Sequence, residues 1–172
     1  LLRDDTLENV DDWSGLANSR PCSGVLEWRQ LHSVVEEVRM SAAIDLKAEF
    51  ARLTMLRNRT PASTEAEREG AFGRVAAYRD GAIFTAKFAG TSAWERHPQG
   101  DEIVHVIEGS TTLHLITEEG RQSLSLSAGM LTIVPRNAWH QFAAPDGVCV
   151  MTATPQPTEH VRLDVEDPRT VG

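Results

Sequence analysis

Two short stretches of this chain concentrate the side chains able to hold a metal ion or move a proton. One is Glu95-Arg96-His97-Pro98-Gln99-Gly100-Asp101-Glu102; the other runs from Gly129 through Pro135 and Asn137 to His140. Glu95 and His97 are two apart in an extended run, so both side chains point to one face. His140 lies in a later run, with Ala138 and Phe142 on its own face. His97, His140 and one carboxylate would make a two-histidine, one-carboxylate set suited to Fe(II). Both carboxylates, Glu95 and Glu102, add oxygen character and neutralise a dication, which suits Mn(II) or Fe(II) and permits Zn(II). A carboxylate left off the metal would act as general base, which makes Glu102 and Glu95 the candidate catalytic residues. Each group has a plainer reading when taken singly. A histidine in a strand is usually structural, Asp101-Glu102 alone would be a solvated pair, and Glu95 would equally pair with an arginine in a metal-free ligand pocket.

Ligands for one ion must converge from different strands, and the interior of a small barrel supplies that arrangement. From about residue 74 the chain does alternate with period two, in short runs rich in Val, Ile, Thr and Phe. The runs predict strands near 74–79, 82–89, 91–97, 101–108, 111–117, 121–127, 130–134, 138–143 and 147–153. Turn residues separate them, among them Asp80-Gly81, Gly109-Ser110, Ala128-Gly129 and Pro145-Asp146-Gly147. Eight or nine short strands at this spacing mean an all-β sandwich or barrel.

The chain before the barrel has a different texture. Residues 1 to about 25 are acidic and aperiodic, and Trp28, Leu31, Val34, Val35 and Val38 predict an amphipathic helix over about 26–39. A second helical pattern joins Leu46, Phe50, Leu53 and Leu56 and is closed by Arg57-Asn58-Arg59-Thr60-Pro61, since the residue before proline avoids the helical region. The expected organisation is an extension with one helix at 1–39, a helix and connector at 40–70, a β-barrel at 71–155 and a polar tail at 156–172. Met40 is a plausible translation start, so 40–172 is expected to fold alone.

The two chemical stretches resemble the paired motifs of the cupin superfamily, G-x5-H-x-H-x3,4-E-x6-G and G-x5-P-x-G-x2-H-x3-N. His97 matches the second histidine, Glu102 the glutamate and Gly109 the closing glycine; Gly129, Pro135 and His140 match the second motif. The resemblance covers about 75–155. It departs at four positions: Glu95 stands for the first histidine, Asn137 for a glycine, Ala144 for the final asparagine, and Gly90 is one residue closer than the pattern asks. Asparagine tolerates positive φ in turns, so Asn137 is a mild change. The resemblance implies a double-stranded β-helix barrel of jelly-roll type, with His97, Glu102, His140 and Glu95 around one divalent ion.

Other features set the remaining expectations. If Gly109-Ser110 is a two-residue hairpin loop, His105 and His114 become cross-strand neighbours on the face away from Glu102. That hairpin would be apolar on both sides, with Val104, Val106, Leu113 and Leu115 on one and Ile103, Ile107 and Ile116 on the other. Its outer side then needs cover from a partner subunit or the N-terminal helices, and a homodimer is expected. Trp94 and Trp139 fall opposite His97 and His140 and are expected to pack. His32 and His160 carry no assignment.

Charge and composition exclude other classes. Lys+Arg 17 against Asp+Glu 25 gives a net charge of -8 with no basic cluster to offset it, which argues against a nucleic-acid partner. No run reaches the roughly 18 apolar residues of a membrane span. Cys22 and Cys149 form no CxxC, and the first residues lack a signal pattern, so reduced thiols and a cytoplasmic location are expected. The partner is then a small-molecule ligand or substrate. Two functions fit: a mononuclear metalloenzyme of dioxygenase, isomerase or lyase type, or a non-catalytic small-molecule binding or sensor module with a degenerate metal site.

Overall fold

The computed structural model describes residues 43–171. The acidic segment 1–25, the helix expected at 26–39, Cys22, His32 and the start at Met40 lie outside the described residues. Asp45 caps the first helix, α1 (Leu46–Arg52), by accepting the Ala48 amide at 3.2 Å. The helix does not continue to Leu56 as its spacing suggested. Leu53 is already extended at φ -84 and ψ 141, and Leu56–Arg59 forms strand β1. A parallel ladder with β3 (Gly81–Thr91) satisfies that backbone while Leu56 packs on the core, so tertiary pairing outweighs the local three-residue step. The connector holds one helical turn, α2 (Glu65–Arg68). Its reciprocal cap puts the Thr64 hydroxyl on the Glu67 amide and the Glu67 carboxylate on the Thr64 amide.

The remaining strands are β2 (Phe72–Tyr78), β4 (Trp94–Arg96), β5 (Glu102–Thr117), β6 (Gly120–Ser127), β7 (Leu131–Val134), β8 (Trp139–Pro155) and β9 (Glu159–Val161). They make an all-β barrel whose backbone is the pair of long antiparallel strands β5 and β8. On the far side β8 pairs with β3, while β5 pairs with β7 through its first half and β6 through its second. Alternate residues of these strands, including Val104, Val106, Leu113, Phe142, Val148 and Val150, form one buried core with Phe88.

Two turns expected from the sequence are instead bends within single strands. Gly109-Ser110 continues β5, with Gly109 at φ 76 beside a register shift, and Pro145-Asp146-Gly147 continues β8, with Gly147 at φ 100. Gly109 lies opposite Val148, so both strands bend together. Glycine between two apolar runs serves a hairpin loop and a bulge equally well, and the partner strand decides which forms. His105 and His114 are therefore not cross-strand neighbours. His105 sits opposite Met151 and Leu131, and the His114 Nδ1 meets the Ser123 hydroxyl at 2.8 Å.

The segment expected as a polar tail is ordered against the barrel. Strand β9 pairs with β4, the buried Trp94 indole donates to the Val165 carbonyl at 2.9 Å, and Pro168 is buried. The doubly apolar strand is half covered. Val104, Val106, Leu113, Leu115 and Ile116 are buried, but Ile103, opposite Ile133 of β7, is exposed, as are Ile133 and Leu131.

Candidate metal centre

Three separate elements bring their polar side chains to one point inside the barrel. His97 follows β4 directly, Glu102 opens β5, and His140 is the second residue of β8. The loop after β4 and the turn before β8 are tied together, which sets the spacing of the first and last of these. The Asn137 amide donates to the His97 carbonyl at 2.9 Å, and the Arg136 amide donates to the Asp101 carboxylate at 2.7 Å. Asn137 takes φ 66 there, the left-handed conformation that asparagine tolerates.

His97, Glu102 and His140 are all buried, and their ligand atoms lie within 4.8 Å of one another. The Glu102 Oε2 is 3.0 Å from the His140 Nε2 and 3.3 Å from the His97 Nε2. These three atoms are the buried side-chain polar atoms without a well-formed hydrogen bond among the described residues. Their outer atoms, by contrast, are held. The His140 Nδ1 faces the Ala138 carbonyl at 3.2 Å, so it carries the proton and leaves Nε2 as the lone-pair side in the neutral ring. The His97 Nδ1 meets the Thr158 hydroxyl at 3.1 Å, and the Thr154 hydroxyl donates to the Glu102 Oε1 at 2.5 Å. Anchored outer atoms with inward lone pairs are what a metal-ligating set requires, and the donor set fits a divalent transition ion.

Burial alone would push the Glu102 carboxyl up, but the two histidines outweigh it and hold it at about 2. Burial likewise works against a charged His140, yet Glu102 and Glu95 raise it above its ordinary value of 6.5. The Glu102 carboxylate thus favours the protonated form of His140.

Glu95 does not join the tight group. It lies across the ladder from His140 on one side and His160 on the other, its Oε1 3.6 Å from His140 Nε2 and its Oε2 3.5 Å from His160 Nε2. Desolvation raises the Glu95 carboxyl, and His160 and His140 more than reverse that, leaving it ionised. No arginine forms an ion pair with it among the described residues. Thr154, Thr158 and His160 are the site residues that the sequence did not flag. Thr154 lies in the range expected as barrel, whereas Thr158 and His160 lie in the segment expected as a polar tail, where composition gives them no signal. Trp94 packs away from the site, as expected.

The site opens onto a cavity of about 170 Å³ lined by Glu95, Glu102 and His160 together with Arg59, Phe72, Phe84, Phe88 and Phe142. The chain is thus an all-β barrel with a buried His-Glu-His cluster that forms a candidate metal site. Residues 83–154 match the family model of the cupin domain, in agreement with the resemblance carried by His97, Glu102 and His140.

Solved structures similar to this chain include a cupin-2 domain-containing protein of Shewanella frigidimarina, at 19% identity over 69% of this chain and 94% of that one, with a TM-score of 0.48. A protein of Neisseria meningitidis matches at 17% identity over 70% of this chain and 100% of its own, with a TM-score of 0.48. Hydroquinone 1,2-dioxygenase of Sphingomonas sp. TTNP3 matches at 20% identity over 53% of this chain and 66% of its own, with a TM-score of 0.43. None of the curated proteins matches. Among the described residues no helix is long and apolar enough to cross a membrane.

Proposed function

We propose that this protein holds one divalent transition metal ion, Fe, Mn or Zn, on His97, Glu102 and His140 and processes a small organic molecule in the adjoining cavity. The reaction classes that suit such a site are dioxygenase, isomerase and lyase chemistry. The observation that carries the reading is the convergence of three buried, otherwise unpartnered ligand atoms whose outer atoms are already hydrogen-bonded. A bound divalent ion supplies Lewis-acid polarisation of a substrate oxygen, and a redox-active one adds oxygen chemistry. In this reading Glu102 is a ligand, and Glu95 is the proton acceptor, ionised beside the cluster and in contact with His160.

Titrating the metal-free full chain with Mn(II), Zn(II) and, without air, Fe(II) is expected to reveal one ion bound per chain with release of protons. The sign follows from His140. Its proton is held by Glu102 below its raised pKa and must leave before Nε2 binds metal, so affinity is expected to rise as pH is raised from the ordinary 6.5 through the higher folded-state value. Failure to bind any of the three ions across that range would remove the metal reading.

We also propose a homodimer through the outer face of β5 and β7, where Ile103, Leu131 and Ile133 are exposed in adjacent register. Light scattering is expected to give twice the mass of the chain, and Ile133→Lys, which sets a charge in the centre of that face, is expected to give the single mass. A monomeric wild type would overturn the dimer.

A further inference from the structure

Two guanidiniums, Arg59 and Arg68, line the cavity beside the cluster, and Arg59 is the more deeply placed, between two aromatic rings. Arg59, the last residue of β1, is half-buried with its guanidinium 4.3 Å from the Phe88 ring centre and 5.1 Å from that of Phe72. Among the described residues no ion pair and no side-chain hydrogen bond engages that guanidinium. Two aromatic faces stabilise its charge but satisfy none of its five N–H donors. Desolvation is strong enough to lower its pKa from 12.5 to about 10, against the pull of Glu95.

The placement is built into the fold. Arg59 lies opposite Gly90, where a Cβ would come within 2.2 Å of the Arg59 carbonyl oxygen, so β1 approaches β3 this closely only because residue 90 is glycine. Arg59 and Glu102 line the same cavity, with Phe84 and Phe142 among its apolar walls.

We propose that the cavity takes a small carboxylic acid, its carboxylate gripped by Arg59, its apolar body against the phenylalanines and its far end toward His97, Glu102 and His140. A guanidinium fork matches a carboxylate two bonds to two, and burial between aromatic rings strengthens that pairing. The carboxylates of Glu95 and Glu102 offset the charges of Arg59 and Arg68 in the same cavity, which favours a monoanion over a doubly charged phosphate. The volume, below the roughly 300–1,000 Å³ of drug-sized sites, selects a compact acid. The proposal relies on the metal reading only for the direction in which the far end points.

The test is calorimetric binding of butanoate, benzoate, their primary amides and inorganic phosphate to the metal-loaded full chain, with melting temperature and metal content measured alongside. The acids are expected to bind at least about tenfold more tightly than the amides and phosphate, and Arg59→Gln to lose about tenfold or more in acid affinity while keeping its metal. The acid–amide comparison needs no variant, so it stands even if Arg59→Gln folds poorly. Equal binding of acid and amide, preferential binding of phosphate, or no binding of either acid would overturn the proposal. The same titrations on metal-free protein separate the two readings. Acid binding that depends on Arg59 in a protein that takes no metal would sustain the anion pocket and remove the metal centre. A metal-loaded protein indifferent to the acids would do the reverse.

Discussion

Replacing His140 by alanine is expected to strip the protein of its metal and to destabilise the metal-free fold by about 3 kcal/mol. Both effects come from one atom. The His140 Nε2 is 3.0 Å from the Glu102 Oε2 inside the barrel, and its removal leaves the buried carboxylate with the His97 Nε2, at 3.3 Å, and the Thr154 hydroxyl as its neighbours. Loss of an outer-sphere partner alone costs roughly 10- to 100-fold in metal affinity, so loss of a ligand should exceed about 100-fold. Elemental analysis after loading and melting curves of the metal-free protein measure the two effects separately. Retention of one ion per chain in His140→Ala would sink the assignment of this residue. Glu95→Gln is the counterpart. It removes a charge 3.6 Å from His140 but no member of the tight cluster, and it is expected to retain the metal.

The pH dependence of the metal-free protein should carry the same signature. Glu102 is held at about 2 from an ordinary 4.5, so its stabilisation is fully present above about pH 4.5 and is lost as pH falls toward 2. His140 is raised, so its contribution is full below about 6.5 and is lost as pH rises through its folded-state value. The wild type thus gains most from the pair between those limits, and His140→Ala should lose most there.

Gly90→Ala is expected to be among the most damaging small substitutions outside the cluster. The added Cβ would meet the Arg59 carbonyl oxygen at 2.2 Å and its amide nitrogen at 2.6 Å, and these are backbone atoms that no side-chain rotation can move. Residue 90 is also at φ 118, which an L side chain adopts only with strain. Strain and overlap together should cost about 3 kcal/mol or more, on the order of 10 °C in Tm, as β1 is pushed off β3. Gly129→Ala provides the comparison. Gly129 has φ 86 but nothing within 4 Å of an added Cβ, so only the conformational cost remains, about 1–2 kcal/mol. Similar melting temperatures for the two variants would mean that the close approach of β1 is not what requires glycine at position 90. A Gly90→Ala protein that still folds should also bind small acids weakly, because Arg59 moves with its strand.

Much of the site was legible because its information is local. His97, Glu102 and His140 carry their chemistry in residue type, and period two orients each relative to its neighbours without reference to the fold. The all-β class follows from the same period, repeated between turn residues from about 74 onward. What remained hidden depends on which strand lies alongside. Gly109-Ser110 and Pro145-Asp146-Gly147 read as loops, yet each stays within a ladder because β5 and β8 bend together. Leu56 fits a helical step, yet the edge of β3 takes its segment as a strand. Thr158 and His160 sit in a polar stretch with no apolar alternation, and only pairing of β9 with β4 brings them to His97 and Glu95. Arg59 is the extreme case. Its type is common and its spacing from His97 carries no meaning along the chain. The closeness of β1 to β3 at Gly90, the two phenylalanine rings and the shared cavity are all products of tertiary packing, because desolvation and convergence have no counterpart in a linear sequence.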